Sequence, residues 1–476
     1  MTFLPLLFFV VISIVFFLRK PGDYRESILK AFLITFLLIA ISTELLSIFN
    51  KVTSSWIQIS WLIINLLSIP VLFFSWIKFK SNKGIPPLED SERQGKISKG
   101  LIIFCLVIIL LICGITLYIA IKSPPNNFDS MTYHMARIPH WIQNQNIQYY
   151  PTAIPRQNYS MPLAEYGILH LQILGQSDHY ANLIQWSSFV MIILSITLIA
   201  RDLGLSRRGQ WLTAVLVSTL PMVILQSTST QNDLVVGIFC LGFLYFLRKA
   251  VTYLRWEDMI FSGISMGLAL ATKGTAYIFC AAIGTGISLY HLRGKSLAQI
   301  KKMVLRLSLV IVIALILNTG IYSRNWTLYK NPIITSNERT MVEKFSPGIL
   351  FSNLVRNGAM HLATPSKILN DLINNGVSSL LGSQTNNPAS TFQGSSFDLE
   401  FSINEDDAGN LLHFIFLLIS FLILPWIKQD QKGNSYTLLI TVGLSIIFYS
   451  LTFKWQPWGG RLQIPIFLMG SSLNDN

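Results

Sequence analysis

Serial apolar runs dominate the chain, near 3–18, 28–49, 56–77, 101–121, 182–200, 211–226, 233–247, 259–272, 275–292, 304–322, 411–427 and 436–453, with a short final one from 462. Most approach the roughly 20 residues that an α-helix needs to cross hydrocarbon. There every backbone N–H and C=O must be satisfied within the protein, and helices do so segment by segment. Charged residues are 12% of the 476, half the roughly 25% of a soluble domain. The expected fold is an all-α polytopic membrane protein, a bundle of about 12–13 transmembrane helices with two large outer loops.

Charge placement supplies the orientation. The formal net charge is +13, yet the basic residues gather in short clusters between apolar runs, so no nucleic-acid partner is expected. Arg19, Lys20, Arg25 and Lys30 follow the first run, and Lys78, Lys80, Lys83, Arg93, Lys96 and Lys99 the third. Arg201, Arg207, Arg208, Arg248, Lys249, Arg255, Arg293, Lys295, Lys301, Lys302, Arg306, Lys428 and Lys432 keep the same phase in every second loop. Cytoplasmic loops carry such an excess. Segments 50–55, 122–181, 227–232, 273–274, 323–410 and 454–461 then face outward, with the N-terminus. Cys105, Cys113, Cys240 and Cys280 sit inside apolar runs and read as small buried hydrophobes. The run at 3–18 has neither a basic start nor a small-residue cleavage site, and reads as a retained helix.

The outer loops differ from the inner ones. Segment 122–181 holds six prolines with Trp141, Tyr149 and Tyr150, and Met131, Ile138 and Ile142 recur at helical spacing. This pattern suggests short amphipathic helices along the membrane surface. Segment 323–410 is rich in Asn, Ser and Gly and contains Glu405, Asp406 and Asp407, which either contact sugar hydroxyls or, the stronger reading, stay solvated. No stretch reads as a soluble domain with its own core.

A charge at the bilayer centre costs about 2.5–3.5 kcal/mol on insertion scales, so ionisable groups at the ends of apolar runs are site candidates. Asp129 follows the fourth run, with Tyr133, His134 and Arg137 on roughly one helical face. It either accepts a proton from a hydroxyl or caps the helix after it. Glu165, in Met161-Pro162-Leu163-Ala164-Glu165-Tyr166, is either paired in an apolar setting or an interfacial acid in water. Asp233 opens the run from 233, where a helix dipole favours a carboxylate whether or not it does anything more. Lys273 breaks the charge phase at a turn with almost no loop, and its natural partner is an anion such as a lipid phosphate. Arg324 and Arg461 add two cations to the same rim. Such a mixture suits transfer from a phosphate leaving group, with cations countering the departing charge and a carboxylate activating the nucleophile. The spacing of His134, His140, His170 and His179 matches no zinc pattern.

The ordered motifs FDSMTYH (Asp129), MPLAEY (Glu165), QNDLVVG (Asp233), GLALATKGTAY (Lys273), SRNW (Arg324) and GGRLQIP (Arg461) resemble the GT-C class of membrane glycosyltransferases. That superfamily holds the protein O-mannosyltransferases and the lipid A aminoarabinose transferases. The resemblance implies a polyprenyl-phosphate sugar donor, inverting attack, Asp129 as base and Lys273 at the donor phosphate. It carries Glu165 as a second catalytic acid and Asp233 as an orienting or ion-contacting acid. Tyr133, His134, Arg137, Arg324 and Arg461 are carried as substrate-binding. No cofactor is implied with certainty, and use of a divalent cation is left open. The expected partners are the lipid-linked donor, a glycan, lipid or protein acceptor, and the bilayer, with the site on the outer side of the cytoplasmic membrane. A transporter or flippase of lipid-linked envelope precursors is the alternative.

Residues 1–100 are expected as an extra three-helix membrane segment, and 101–473 as the GT-C-like domain with outer loops 122–181 and 323–410. Two departures stand out. The adjacent acid pair common in mannosyltransferases is here Asp129-Ser130. The last run is too short to span, so C-terminal helices present in relatives are expected to be missing.

Overall fold

The computed structural model describes residues 1–21, 24–81, 97–333, 340–423, 426 and 432–473; Lys83, Arg93, Lys96 and Lys428 of the basic loops lie outside them. The chain begins with α1 (Leu4–Arg19), α2 (Tyr24–Ile48), α3 (Ser54–Ser81) and α4 (Lys99–Lys122). The first outer loop carries α5 (Arg137–Asn144), α6 (Arg156–Tyr159) and α7 (Leu163–Gly175). Next come α8 (Leu183–Asp202), α9 (Arg207–Ser218), α10 (Pro221–Gln226), α11 (Asp233–Tyr253), α12 (Trp256–Thr272), α13 (Ala276–His291), α14 (Leu297–Leu317) and α15 (Thr319–Tyr329). The second outer loop adds α16 (Pro347–Ala359) and α17 (Lys367–Leu381), and the chain closes with α18 (Leu411–Ile423), α19 (Lys432–Thr452), α20 (Gly459–Leu462) and α21 (Ile464–Gly470). The described residues contain no strand, only isolated bridges between Met341 and Phe453 and between Thr391 and Trp455.

The protein is thus all-α and polytopic. Among the described residues, six helices are long and apolar enough to cross a membrane, and a seventh if α14 and α15, bent by 58°, form one span; α1, α13 and α18 are shorter apolar helices. The lower count than the apolar runs suggest has local causes. The run at 211–226 breaks after Leu220, where Pro221 opens α10, because proline lacks an N–H to continue a helix. The run at 259–272 lies in α12, a helix of 17 residues with Glu257 and Asp258 in its first turn. The final run is the short pair α20 and α21.

Helix α11 is the central element, with 94% of its most apolar window buried, whereas α4 is 11% buried and presents apolar side chains to lipid. On α12, Gly263 and Gly267 let α14 approach. A Cβ on Gly267 would sit 3.1 Å from the Ala314 Cα, and one on Gly263 3.0 Å from the Val310 carbonyl oxygen. This is a small-xxx-small contact, by which helices pack closely where lipid gives no hydrophobic drive. Asn318 at the α14–α15 bend donates to the Gly267 carbonyl at 2.9 Å.

Helices α1–α3 share the main apolar core, and α2 packs on α7, α8 and α12. The Trp61 indole donates to His170 Nδ1 at 2.9 Å, while His170 Nε2 meets Thr43 at 2.9 Å, tying α3 and α2 to α7. In the first outer loop, Ile138 is fully buried but Met131 is 59% exposed, so the expected stripe does not act as one face. The second outer loop departs from expectation. Ala359, Val377, Leu381 and Phe397 of the loop form a small apolar core with Trp455, which lies beyond it between α19 and α20. Beside it, the fully buried Arg356 donates to Thr385, Ser390, Thr391 and Asn353.

Candidate active site

Distant parts of the chain meet at a cavity of about 300 Å³, among them the second outer loop through Thr340 and Met341. The first outer loop contributes Asp129, Tyr133 and Arg156, the α12–α13 turn contributes Lys273, and the segment before α21 contributes Trp458 and Arg461. Each residue has a local reason to be there. Residues 130–134 form one π-helical turn, a form that recurs at functional sites. The Asn127 side chain accepts from the Ser130 N–H at 2.8 Å, whereas Asp129 makes no capping bond. At the start of α11, Gln185 accepts from the N–H groups of Leu234 and Val235 at 2.9 and 3.2 Å, leaving the Asp233 side chain free of that task. Lys273 ends α12 in an extended conformation, φ −157° and ψ 143°.

The freed carboxylates take cations. Arg461 Nη2 lies 2.5 Å from Asp129 Oδ2, and Arg461 Nη1 lies 3.0 Å from Asp406 Oδ1. Arg156 Nη1 is 3.5 Å from Asp129 Oδ1, with its guanidinium 5.8 Å from the Tyr133 ring centre. Lys273 Nζ meets Asp233 Oδ1 at 2.5 Å. Gln231 donates to Asp406 at 2.9 Å. Burial alone would raise the Asp129 carboxyl, but Arg461, His134 and Arg156 outweigh it and hold the group below its usual range. Burial pushes the Lys273 ammonium below its ordinary value, against the pull of Asp233. Burial, reinforced by Asp129, raises the Tyr133 hydroxyl well above its ordinary value.

The remaining sequence candidates lie outside the cavity lining. Glu165 is fully buried behind it, with His134 Nδ1 at 2.5 Å and Arg137 Nη2 at 2.9 Å. Burial would raise its carboxyl, but Arg137 and His134 bring it below the usual range. Arg137 also donates to the Ser160 carbonyl at 2.9 Å, so the three side chains brace the first outer loop. Arg324 grips Glu44 of α2 through both guanidinium ends, at 2.7 and 2.8 Å, and lies 3.1 Å from the Tyr166 hydroxyl. Asp233 stands behind Lys273.

Three participants escaped the sequence reading. Arg156 had no visible partner, Asp406 read as solvated, and Glu44 lay within an apolar run. Among the described residues, no group of three or more His, Cys, Asp or Glu side chains is placed to hold a metal ion.

Residues 162–322 match the family model described as dolichyl-phosphate-mannose-protein mannosyltransferase, a GT-C family domain. The matched stretch holds Glu165, Asp233 and Lys273, begins after Asp129 and ends before Arg324 and Arg461. No curated protein and no solved structure matches the chain.

Proposed function

We propose, from the premise that this multi-pass membrane protein carries a GT-C glycosyltransferase domain, that it moves a sugar from a polyprenyl-phosphate donor to an acceptor hydroxyl outside the cytoplasmic membrane. One observation carries the proposal: Asp129, Lys273 and Arg461, far apart in sequence, line one cavity. In this reading Asp129 takes the proton of the acceptor hydroxyl while its oxygen bonds to the anomeric carbon, with inversion. The bond from that carbon to the phosphate oxygen breaks, and its electron pair leaves with the phosphate. Lys273, Arg461 and Arg156 counter the departing charge.

The ion pairs support a coupling between donor and base. A donor phosphate competes with Asp129 for Arg461. As Arg461 turns to the phosphate, Asp129 keeps its burial but loses its strongest countercharge, so its affinity for a proton rises. The base thus gains strength when the donor is seated. Glu165 acts as a positioning residue through His134 and Arg137, and Arg324 holds α15 to α2 and α7.

The test is Asp129→Asn, which keeps size and removes the proton acceptor. Transfer is expected to fall by about 10²–10⁴, the usual contribution of a positioned base, while lipid-linked donor still binds. Full transfer activity in the variant would remove Asp129 from the role.

A further inference from the structure

A second cavity, of about 640 Å³, lies in the outer part of the molecule and includes Glu343, Asn386, Phe392, Gln393, Ser395 and Lys454 in its lining. A backbone ladder separates it from the first. Segment 452–456 is the middle rung: Val342 donates to Thr452 and Lys454 to Thr340, each at 2.9 Å, on one side. On the other, Trp455 donates to Ser390 at 2.8 Å and Phe392 to Trp455 at 2.9 Å. Phe453 and Gln456 line the first cavity and Lys454 the second. Phe392 of the second stands edge-on to Trp458 of the first, with ring centres 4.9 Å apart.

The linings differ in chemistry. Arg156, Lys273 and Arg461 line the first cavity with a single carboxylate, Asp129. In the second the charged groups are one acid and one base, Glu343 and Lys454, paired at 2.6 Å. The rest of the second lining is two amides, two hydroxyls, one aromatic ring, Pro388 and Gly394. Such a surface has no net charge for a phosphate. Amide and hydroxyl groups both donate and accept, as a ligand with many hydroxyls requires, and an aromatic face suits the C–H side of a pyranose ring. The volume falls within the range of roughly 300–1,000 Å³ typical of ligand sites.

We propose that this second cavity binds the inner units of a neutral, hydroxyl-rich acceptor saccharide, whose end passes the Phe392–Trp458 edge to reach Asp129 in the first cavity. The inference rests on the glycosyltransferase reading for the word acceptor, but saccharide binding is measurable without it. Full-length protein in lipid nanodiscs is examined by saturation-transfer NMR with maltopentaose and with chitopentaose, without donor. At least one is expected to bind the wild type, and Gln393→Ala and Phe392→Leu are each expected to weaken that binding roughly tenfold, the scale of one lost aromatic or polar contact. Donor binding, measured separately with a polyprenyl-phosphate sugar, is expected to stay unchanged in Gln393→Ala. If neither saccharide binds the wild type, or both variants bind as the wild type does, the second site is refuted. If saccharide binds as expected but the lipid-linked donor does not, the glycosyltransferase reading fails while the saccharide site stands.

Discussion

At both Asp129 and Asp233, a neighbouring amide does the work that the sequence offered to the acid. Capping by the acid itself was the open alternative at each position. Asn127 and Gln185 supply those bonds instead, and the carboxylates pair with Arg461 and Lys273. A capping signal names a position, and a side chain from fifty residues away can fill it, so no local motif decides between the two uses. The pairing has a pH consequence. The Asp129 carboxyl is held below its ordinary value of 3.8. Its ion pairs therefore stabilise the fold fully above that value, and this contribution is lost as pH falls through the lowered one. For activity, kcat/KM reports the free enzyme and kcat the donor-bound state. The acid limb of kcat/KM is expected below pH 3.8, and that of kcat at higher pH, because the bound phosphate has drawn Arg461 away. Steady-state pH profiles check this, and a kcat limb at or below the kcat/KM limb would contradict the coupling.

At the level of elements, apolar runs located the long helices, because lipid and core both demand them, but not α5, α6, α7, α16 and α17 of the outer loops. They did not say where a run breaks or which helix lies beside which. The break at Pro221 and the bend at Asn318 come from a missing N–H and from a buried amide that bonds to the facing helix, and hydropathy registers neither. The contact of α12 with α14 was legible in principle through Gly263 and Gly267, four apart, but their meaning depends on what faces them. Since α12 ends at Lys273, this contact also sets the position of the lysine. Gly267→Val is expected to destabilise the protein by about 1–3 kcal/mol through overpacking and to weaken donor binding with it. Thermal unfolding in detergent, beside a donor-binding titration, checks both, and an unchanged midpoint would mean that α14 yields freely.

For the whole molecule, the sequence separated residues 1–100 as an extra bundle, yet α2 is built into the rest. Its Glu44 lies 280 residues from Arg324, and nothing in either segment announces the pairing. The ordered motifs did anticipate which residues share a cavity in the cases of Asp129, Lys273 and Arg461. Glu165, Asp233 and Arg324 lie outside that lining, because a motif conveys proximity to a site without saying which layer a side chain occupies. Glu44→Gln leaves the Arg324 guanidinium, 9% exposed, without a countercharge. A loss of about 2 kcal/mol is expected, short of the roughly 3–5 for a fully buried pair, because the Glu44 side chain is 29% exposed. Replacing both by Gln and Met should recover most of that loss. Equal unfolding midpoints for Glu44→Gln and the wild type would show that the pair contributes nothing.

The ladder at 452–456 gives one short stretch of backbone a face on each hollow. Two ligands that arrive on opposite sides of a common partition need not queue through a single doorway. Neither must wait for the other to leave. Traffic of that kind has a random order of arrival, and under the proposed function a saccharide is expected to exchange while the lipid carrier stays in its berth.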